Sequence, residues 1–414
     1  MWHNPFIKSF SDVNQISTLG LYFDKYGSHF KNSPMKIAIV TRSDPEKMAS
    51  WSGTPFFIIN ELRKSGHDLH MVHTRDYYPL QIFIKVIKNL CWLFLRCNID
   101  LSLTPTYSKY VSKNLDKRLD AIGPHAVIGI VASSELASLS TELPIIHISD
   151  ATYMVLSDYY PKRSFVPAWL RTKGNILESN VLERSELAIF PSDWARDSAI
   201  GHYGTEPEKT KIIKFGANVR ELPILTEDYY RKKFENGCRL LFVGKEWQRK
   251  GGDIALSAFQ ILQSSGMKIT MDIVGCDPFA SSPPNGITIH KNIQKNDPSQ
   301  FSLFNQLFAD ASFFILPTRA EAFGLVFAEA AAFATPVLAT NTGGIGSVVE
   351  DNKTGILLPL KAGGEEFAQE ISKLWGDKKS LIRMGTAARE KYDNELNWDS
   401  WQKSFSAALE EVIE

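Results

Sequence analysis

Two glutamates and a glycine lie close together in a stretch of sequence that could bind a ligand. A predicted strand over residues 312–316 leads into a loop with Glu321, and a helix is predicted from about Gly324 to residue 333, with Glu329 in its second turn. The amides of Phe323, Gly324 and Leu325 have no partner within that helix, so they favour an anion, typically a phosphate. Carboxylates suit sugar and ribose hydroxyls, so the two glutamates and the helix start would together hold a nucleotide sugar. Alternatively, both glutamates are ordinary solvent-facing helix charges.

Two lysines follow another predicted strand, over residues 240–243. Gly244 turns the chain, Lys245 and Lys250 come next, and a helix is predicted over residues 251–262. Ligands of open α/β sheets bind at the carboxyl ends of the strands. These cations would therefore bind a diphosphate and offset the negative charge that develops as a nucleoside diphosphate leaves. The alternative is that both are ordinary surface lysines.

Short apolar runs that alternate with helical segments must position these groups. The predicted strands cover residues 36–40, 68–72, 126–131, 145–149 and 187–190, then 240–243, 269–274, 312–316 and 336–339. Such runs are typical of buried parallel strands, and their alternation with helices implies doubly wound sheets. We predict an α/β fold of two Rossmann-like domains that face each other across a cleft. The predicted parts are an N-terminal extension (1–34), a first domain (35–222), a second domain (223–397) and a C-terminal helix (398–414) that could cross back to the first domain.

Composition narrows the possible functions. The chain has 414 residues, more than one hydrophobic core usually supports, and its 46 basic residues balance 46 acidic ones. Without a basic excess or a recognition motif, a nucleic-acid partner is not expected. Residues 1–10 lack the pattern of a secretory signal and no apolar run reaches about 18 residues, so we expect a cytoplasmic protein without a transmembrane helix. We also expect no metal or cofactor, because no metal-ligand or redox spacing links the four cysteines, Cys91, Cys97, Cys238 and Cys276.

These motifs resemble those of a retaining glycosyltransferase of the GT-B fold, most similar to family 4. Glu321 and Glu329 match that family's E-x7-E motif, and Lys245 and Lys250 match its two basic positions, with lysine at 245 where arginine is usual. The Gly-Gly-Ile at 343–345 and the Thr-Gly at 354–355 also match. Two positions depart from the family pattern: Ala334 replaces a usual glycine and Ser347 a common glutamate.

The resemblance implies a role for each residue of the donor site. Glu329 would hold the ribose hydroxyls, Glu321 would lie beside the donor sugar, and the two lysines would hold the diphosphate, while the base would lie near residues 274–275 and 292–293. The implied donor-binding residues are Gly53, Thr54, Lys245, Lys250, Asn292, Ile293, Glu321, Ala322, Phe323, Gly324, Leu325 and Glu329. The implied catalytic residues are Asp150, Lys250 and Glu321.

The first domain is expected to supply the acceptor side. The Gly53-Thr54 turn resembles the family's glycine-containing loop that faces the donor diphosphate, although Thr54 could simply cap the next helix. Asp150 ends a predicted strand where family members commonly carry a histidine facing the reacting carbon, and a helix N-cap is the open alternative. His147 is interpreted as a core histidine with its hydrogen bonds satisfied, and Ser192 as an N-cap.

Residues 80–97 form an unusual predicted helix. At about 100° per residue, its polar residues share one arc of about 100°, and the remaining face is almost wholly apolar. We favour the interpretation that this helix packs on the first sheet and keeps a narrow solvent face. The alternative is a basic amphipathic helix that touches the inner face of a membrane or a lipid-linked acceptor.

The sequence thus predicts an enzyme that moves a sugar from a nucleotide donor, with a UDP-sugar favoured, onto a hydroxyl of an unknown acceptor, which could be a small molecule, a glycan or a lipid-linked molecule. No D-x-D triplet occurs, so lysines and helix ends would take the place of a divalent ion. By resemblance, the reaction is a front-face displacement with retention. The rival interpretations are a nucleotide-sugar epimerase on the same fold and a binding protein that has lost catalysis.

Overall fold

The computed structural model of the chain describes residues 34–413, apart from 43, 48–49, 74–77, 161–164 and 292. The predicted N-terminal extension lies almost entirely outside the described residues. Residues Lys36–Glu414 form one compact unit, and its two halves are described in turn.

The first half builds one six-stranded sheet. Its strands are β1 (Lys36–Thr41), β2 (Asp68–His73), β3 (Ala126–Ile130), β4 (Ile145–Ile148), β5 (Leu187–Phe190) and β6 (Thr210–Ile212). Its helices are α1 (Thr54–Lys64), α2 (Tyr78–Leu95), α3 (Pro105–Ile122), α4 (Ser133–Leu136), α5 (Tyr153–Tyr159), α6 (Ala168–Arg184) and α7 (Asp193–Tyr203). All strand pairs are parallel, in the order β2-β1-β3-β4-β5-β6. The inner strands are fully buried, as continuous apolar runs require.

The second half repeats this architecture. Its strands are β7 (Cys238–Val243), β8 (Ile269–Val274), β9 (Ile287–His290), β10 (Phe313–Leu316), β11 (Val337–Thr340) and β12 (Gly355–Leu358). Its helices are α8 (Glu227–Glu235), α9 (Gly252–Ser264), α10 (Pro298–Asp310), α11 (Leu325–Ala332), α12 (Ile345–Val348), α13 (Gly364–Gly376), α14 (Lys378–Glu395) and α15 (Trp398–Ile413). The parallel order β12-β11-β10-β7-β8-β9 reverses direction between β7 and β10. Such a switch point is where doubly wound sheets bind their ligands.

The predicted α/β fold with two Rossmann-like domains is confirmed. All nine predicted strands are present, with ends shifted by at most two residues. The three strands that the sequence did not predict, β6, β9 and β12, each form an edge of their sheet. These three strands have only three or four residues and are partly buried, and polar residues interrupt the apolar ones in β6 and β9.

The last helix contacts the first half of the chain. Trp398, at the start of α15, stacks on Phe57 of α1 with ring centroids 5.6 Å apart. Further along, the Gln402 side-chain amide donates to the Ser65 hydroxyl at 2.9 Å. The C-terminal helix therefore joins the two halves beside the turn that opens α1.

The interpretation of residues 80–97 as an ordinary packed helix with a narrow solvent face is wrong. Only one edge of α2 packs inward: Ile84 is buried in the first core and Leu80 packs against that core. Most of the helix's large apolar side chains are exposed instead, including Phe83, Leu93 and Phe94 at 55%, 63% and 75%. The first core therefore covers only a narrow strip of the helix, and most of its apolar face stays exposed.

Candidate active site

The motifs that follow β7 and β10 meet at the switch point of the second sheet. Lys250, in the turn before α9, forms an ion pair with Glu321, in the loop after β10, through Nζ and Oε2. The two side chains are only 12% and 13% exposed. This arrangement brings together a cation and a carboxylate that lie 71 positions apart, at the edge of the sheet where a ligand is expected.

Backbone contacts hold these two loops together. Gly251 adopts φ +71°, and a Cβ there would lie 1.9 Å from the carbonyl oxygen of Pro317, so only glycine fits. The Arg249 carbonyl accepts from the Arg319 amide at 2.8 Å, and the Arg249 guanidinium donates to the Ala320 carbonyl at 2.7 Å. The position of Lys250 is therefore fixed by its two neighbours as well as by Glu321.

Two tyrosines from the first half hydrogen-bond to the loop that leads into the predicted anion site. The amide of Glu321 donates to the Tyr159 hydroxyl at 3.0 Å, and the amide of Ala322 donates to the Tyr160 hydroxyl at 3.1 Å. Tyr159 also lies 2.8 Å from the Thr342 hydroxyl. The end of α5 is thereby fastened to the loop after β10, so these two amides are already hydrogen-bonded.

The next three backbone amides along the chain are available to bind a ligand. Gly324, at φ +86°, caps α11 without a side-chain hydrogen bond. Within the described residues, the amides of Phe323, Gly324 and Leu325 have no hydrogen-bond acceptor. Their position beside Glu321 and Lys250 gives this helix start three donors for an anion.

The second glutamate of the motif is buried and paired. Glu329 forms an ion pair with Lys295 through Oε1. Burial raises the pKa of Glu329, and the Lys295 cation opposes that rise. Lys295 also donates to the Asn218 carbonyl at 3.4 Å and lies 4.1 Å from the ring centre of Phe304. The alternative of two solvent-facing glutamates therefore does not hold.

The remaining donor-side positions are only partly described. Lys245 is exposed, beside Gly275 at the end of β8, where a Cβ on the glycine would lie 3.6 Å from Cγ of Lys245. Ile293 is half-buried, two residues before Lys295. Asn292 lies outside the described residues, so its implied contact with the base stays a prediction.

The loop before α1 reaches the donor motif through aromatic rings. Trp51 and Phe323 each contact Phe215, at centroid distances of 5.5 and 5.6 Å, with nearly perpendicular rings. Gly53 caps α1 at φ +87°, and Thr54 is the first residue of the helix, buried and not its cap. The alternative of a Thr54-capped helix is therefore wrong, and the loop lies near the donor motif.

Asp150 is half-buried at the carboxyl end of β4. It is not the N-cap of α5, because Thr152 holds that position. Burial raises the pKa of the Tyr160 hydroxyl, and the negative charges of Glu321 and Asp150 raise it further. Asp150 therefore lies close enough to Tyr160 for its charge, like that of Glu321, to act on that hydroxyl.

Ser192 and His147 were both predicted to have structural roles, and only the prediction for Ser192 is confirmed in full. Ser192 is the N-cap of α7, as predicted, and accepts from the Ala195 amide at 3.3 Å. His147 is fully buried, and burial lowers its pKa to about 4. Its ring nitrogens, however, have no hydrogen bond within the described residues, although Nε2 lies 3.9 Å from Oε1 of Glu178. The prediction of a satisfied histidine was wrong because no polar partner comes close enough.

The sequence analysis missed four residues of this site: Arg249, Lys295, Tyr159 and Tyr160. Arg249 stands next to Lys250 and could have been noticed as a third cation of the same turn. The other three carry no local signal, because their partners lie far away along the chain.

Across the described residues, no group of three potential metal ligands is found. No described helix is long and apolar enough to cross a membrane.

The two doubly wound sheets define a protein of GT-B architecture. Residues 237–377 match the family model described as glycosyl transferases group 1. Over these residues, about a third of the chain, the protein is similar to group 1 glycosyl transferases.

Curated relatives are distant in sequence. A D-inositol 3-phosphate glycosyltransferase of Paenarthrobacter aurescens is 23% identical over 315 residues, which cover 73% of this chain and 74% of the relative. The capsular polysaccharide biosynthesis glycosyltransferase CapM of Staphylococcus aureus is 26% identical over 45% of this chain and 50% of its own length. For a second D-inositol 3-phosphate glycosyltransferase, from Streptomyces bingchenggensis, the match spans about half of the relative, 52%.

Solved structures share the fold. Sucrose-phosphate synthase of Thermosynechococcus elongatus superposes with a TM-score of 0.65 at 17% identity, covering 91% of this chain and 99% of its own. HepE of Anabaena, solved in complex with UDP, gives 0.62 at 15% identity, covering 91% and 100%. At these identities the likeness establishes the architecture alone.

Proposed function

We propose that this protein is a glycosyltransferase that moves a sugar from a nucleotide donor, with a UDP-sugar favoured, onto an acceptor hydroxyl. The observation that carries this proposal is the Lys250–Glu321 ion pair beside the three unpartnered amides at the start of α11. A cation and helix-start amides bind a diphosphate, and a carboxylate accepts from sugar hydroxyls. The choice of UDP is supported by HepE, whose structures contain UDP and UDP-glucose.

We assign the diphosphate to Lys250, the exposed Lys245 and the free amides. These groups would offset the charge of the departing nucleoside diphosphate, which is why we propose catalysis without a metal ion. The buried Glu329–Lys295 pair would hold the ribose, since a fixed carboxylate accepts from vicinal hydroxyls. Lys295 would keep that carboxylate ionised despite its burial.

We propose that Asp150 and Glu321 flank the reacting sugar, on the first-half and second-half sides of Tyr160. Both carboxylates act electrostatically on the Tyr160 hydroxyl, which is consistent with a shared site. The proposed stereochemistry is retention by front-face displacement, as the family resemblance implies. The four cysteines are free, which fits the proposed cytoplasmic setting.

The test is a screen of UDP-, GDP- and ADP-sugars with pools of hydroxyl-bearing acceptors, followed by detection of the released nucleoside diphosphate. We expect acceptor-dependent release from a UDP-sugar, undiminished by EDTA, with the donor's anomeric configuration kept in the product by NMR. Inversion would overturn the proposed stereochemistry, and activity lost in EDTA but restored by Mg²⁺ would overturn metal independence. Isomerised donor formed without acceptor would point to an epimerase instead.

A further inference from the structure

Helix α2 has three faces where an ordinary amphipathic helix has two. One edge, with Ile84 and Leu80, packs on the first core. A second edge is polar and carries Gln81, Lys85, Lys88, Asn89 and Arg96. The third is apolar and exposed, and at about 100° per residue it covers an arc of about 120°. Its members are Ile82, Phe83, Val86, Leu90, Leu93 and Phe94.

Ion pairs on the polar edge keep the helix from rotating to bury that face. Nζ of Lys88 lies 3.1 Å from Oδ2 of Asp100, and Oδ1 of Asp100 lies 3.5 Å from the guanidinium of Arg42. Arg42 directly follows β1, at the carboxyl edge of the first sheet. The polar edge is therefore fastened to the protein, and the apolar face is held outward.

Further exposed aromatic side chains lie beside the polar edge of the helix and in the segment that follows residue 164. Trp92 contacts Phe165 edge-to-face at 5.4 Å, and Phe165 and Trp169 are each about half exposed. Lys173 lies over the Trp169 ring at 5.1 Å. Tryptophan and lysine side chains that present an apolar body and a polar tip are typical of the interface between lipid and water.

The charges within the two segments that form this surface are all basic, although one of them, Lys88, is paired with Asp100 outside those segments. Residues 78–97 and 165–175 together contain five basic side chains, Lys85, Lys88, Arg96, Arg171 and Lys173, and no acidic one. The chain as a whole is neutral, so this local excess is not a consequence of composition. An exposed apolar helix face with basic flanks matches an anionic lipid surface, where apolar burial and charge attraction add.

We infer that the exposed apolar face of α2 docks this protein on the surface of an anionic lipid bilayer. The helix would lie in the plane of the interface, because it carries two lysines and is not long and apolar enough to cross a membrane. The inference concerns a surface outside the donor site and does not depend on the proposed reaction.

The experiment is co-sedimentation of the full-length protein with phosphatidylcholine vesicles, with and without phosphatidylglycerol. We expect binding that requires phosphatidylglycerol and weakens in high salt. The triple variant Phe83→Ser, Leu93→Ser, Phe94→Ser should bind at least about tenfold more weakly, since it removes three side chains that would enter the interface.

A matched triple variant controls for the loss of exposed apolar area. Ile224, Leu303 and Leu360 are exposed at 83%, 42% and 52% in the second half of the chain, and their replacement by serine should leave vesicle binding unchanged. Thermal midpoints of both variants should match the wild type, which shows that folding is intact.

A charge-reversal pair tests the electrostatic part. Lys85→Glu with Lys173→Glu should weaken binding several-fold, whereas the exposed pair Lys379→Glu with Lys403→Glu should not. Equal binding to both vesicle types would overturn the anionic preference. Absence of binding, or a dimer without vesicles that the α2 variant dissociates, would overturn membrane docking, while nucleotide-sugar turnover would be unaffected by either result.

Discussion

Replacement of Lys250 by alanine is the most direct perturbation of the proposed donor site. Lys250 and Glu321 are each nearly buried and paired with one another, so the lysine is held where a diphosphate would bind. A hydrogen bond to a charged group contributes about 1.5–3 kcal/mol. At about 1.36 kcal/mol for each factor of ten, the loss of one such contact lowers kcat/KM by about 13-fold to 160-fold.

The ion pair between Lys250 and Glu321 predicts that the effects of Lys250→Ala and Glu321→Ala on kcat/KM are not independent. Glu321→Ala should cost a similar factor, because it removes the carboxylate that positions Lys250 as well as its own contact with the sugar. The double variant should lose less than the sum of the two single losses in free energy, since contacting residues couple by about 0.5–3 kcal/mol. Additive losses would refute the idea that the pair acts as one unit.

The assay is steady-state release of nucleoside diphosphate, with donor binding measured separately by calorimetry. The matched control is Lys353→Ala, which breaks a Lys–Glu pair of 2.7 Å between Lys353 and Glu350, outside the proposed site. That variant should retain wild-type kcat/KM. If Lys250→Ala and Glu321→Ala both stay within about threefold of the wild type, the assignment of the donor site is refuted.

Four further substitutions test other parts of the structure. Tyr160→Phe removes the acceptor of the Ala322 amide and should lower the free energy of unfolding by about 0.5–1.5 kcal/mol in urea titrations; an unchanged midpoint would argue against that contact. Ala334→Gly should raise that free energy by up to about 1 kcal/mol, because Ala334 has φ +48°, which costs an L-residue about 1–2 kcal/mol, against about 0.4–1 kcal/mol for the freer unfolded chain. A lower thermal midpoint would contradict it. Lys233→Met should destabilise by about 1–3 kcal/mol, because the Ala309 carbonyl loses its side-chain donor while the Phe308 and Phe333 carbonyls keep hydroxyl donors, and a neutral result in urea would show that the cation is dispensable. Burial opposes ionisation of Asp100, but its cationic and hydroxyl neighbours lower its pKa to about 2. Its ionised form therefore adds stability above about pH 4 that is lost as pH falls through about 2, so Asp100→Asn should cost about 2 kcal/mol at neutral pH and much less at pH near 2, as measured by urea unfolding at each pH. A cost independent of pH would contradict this linkage.

Much of the fold followed from local patterns in the sequence. Strand β5 and strand β8 have the predicted bounds, because a continuous apolar run bounded by polar residues is sufficient to mark a buried strand. The starts of α9 and α11 were also predicted within one residue, since glycines mark both. The edge strands β6, β9 and β12 escaped prediction because each has only three or four residues and is only partly buried.

The sequence by itself determined which groups carry charge and at which strand ends they stand, as with Lys250 after β7 and Glu321 after β10. Only the tertiary structure decided which groups meet. Lys295 pairs with Glu329 from 34 positions away, and Tyr159 reaches the Glu321 amide from 162. Such contacts depend on how distant elements pack, which no local periodicity encodes. The same reason explains α2: an apolar face has the same hydropathy pattern whether it is buried or exposed, and only packing against the first core turned this one outward.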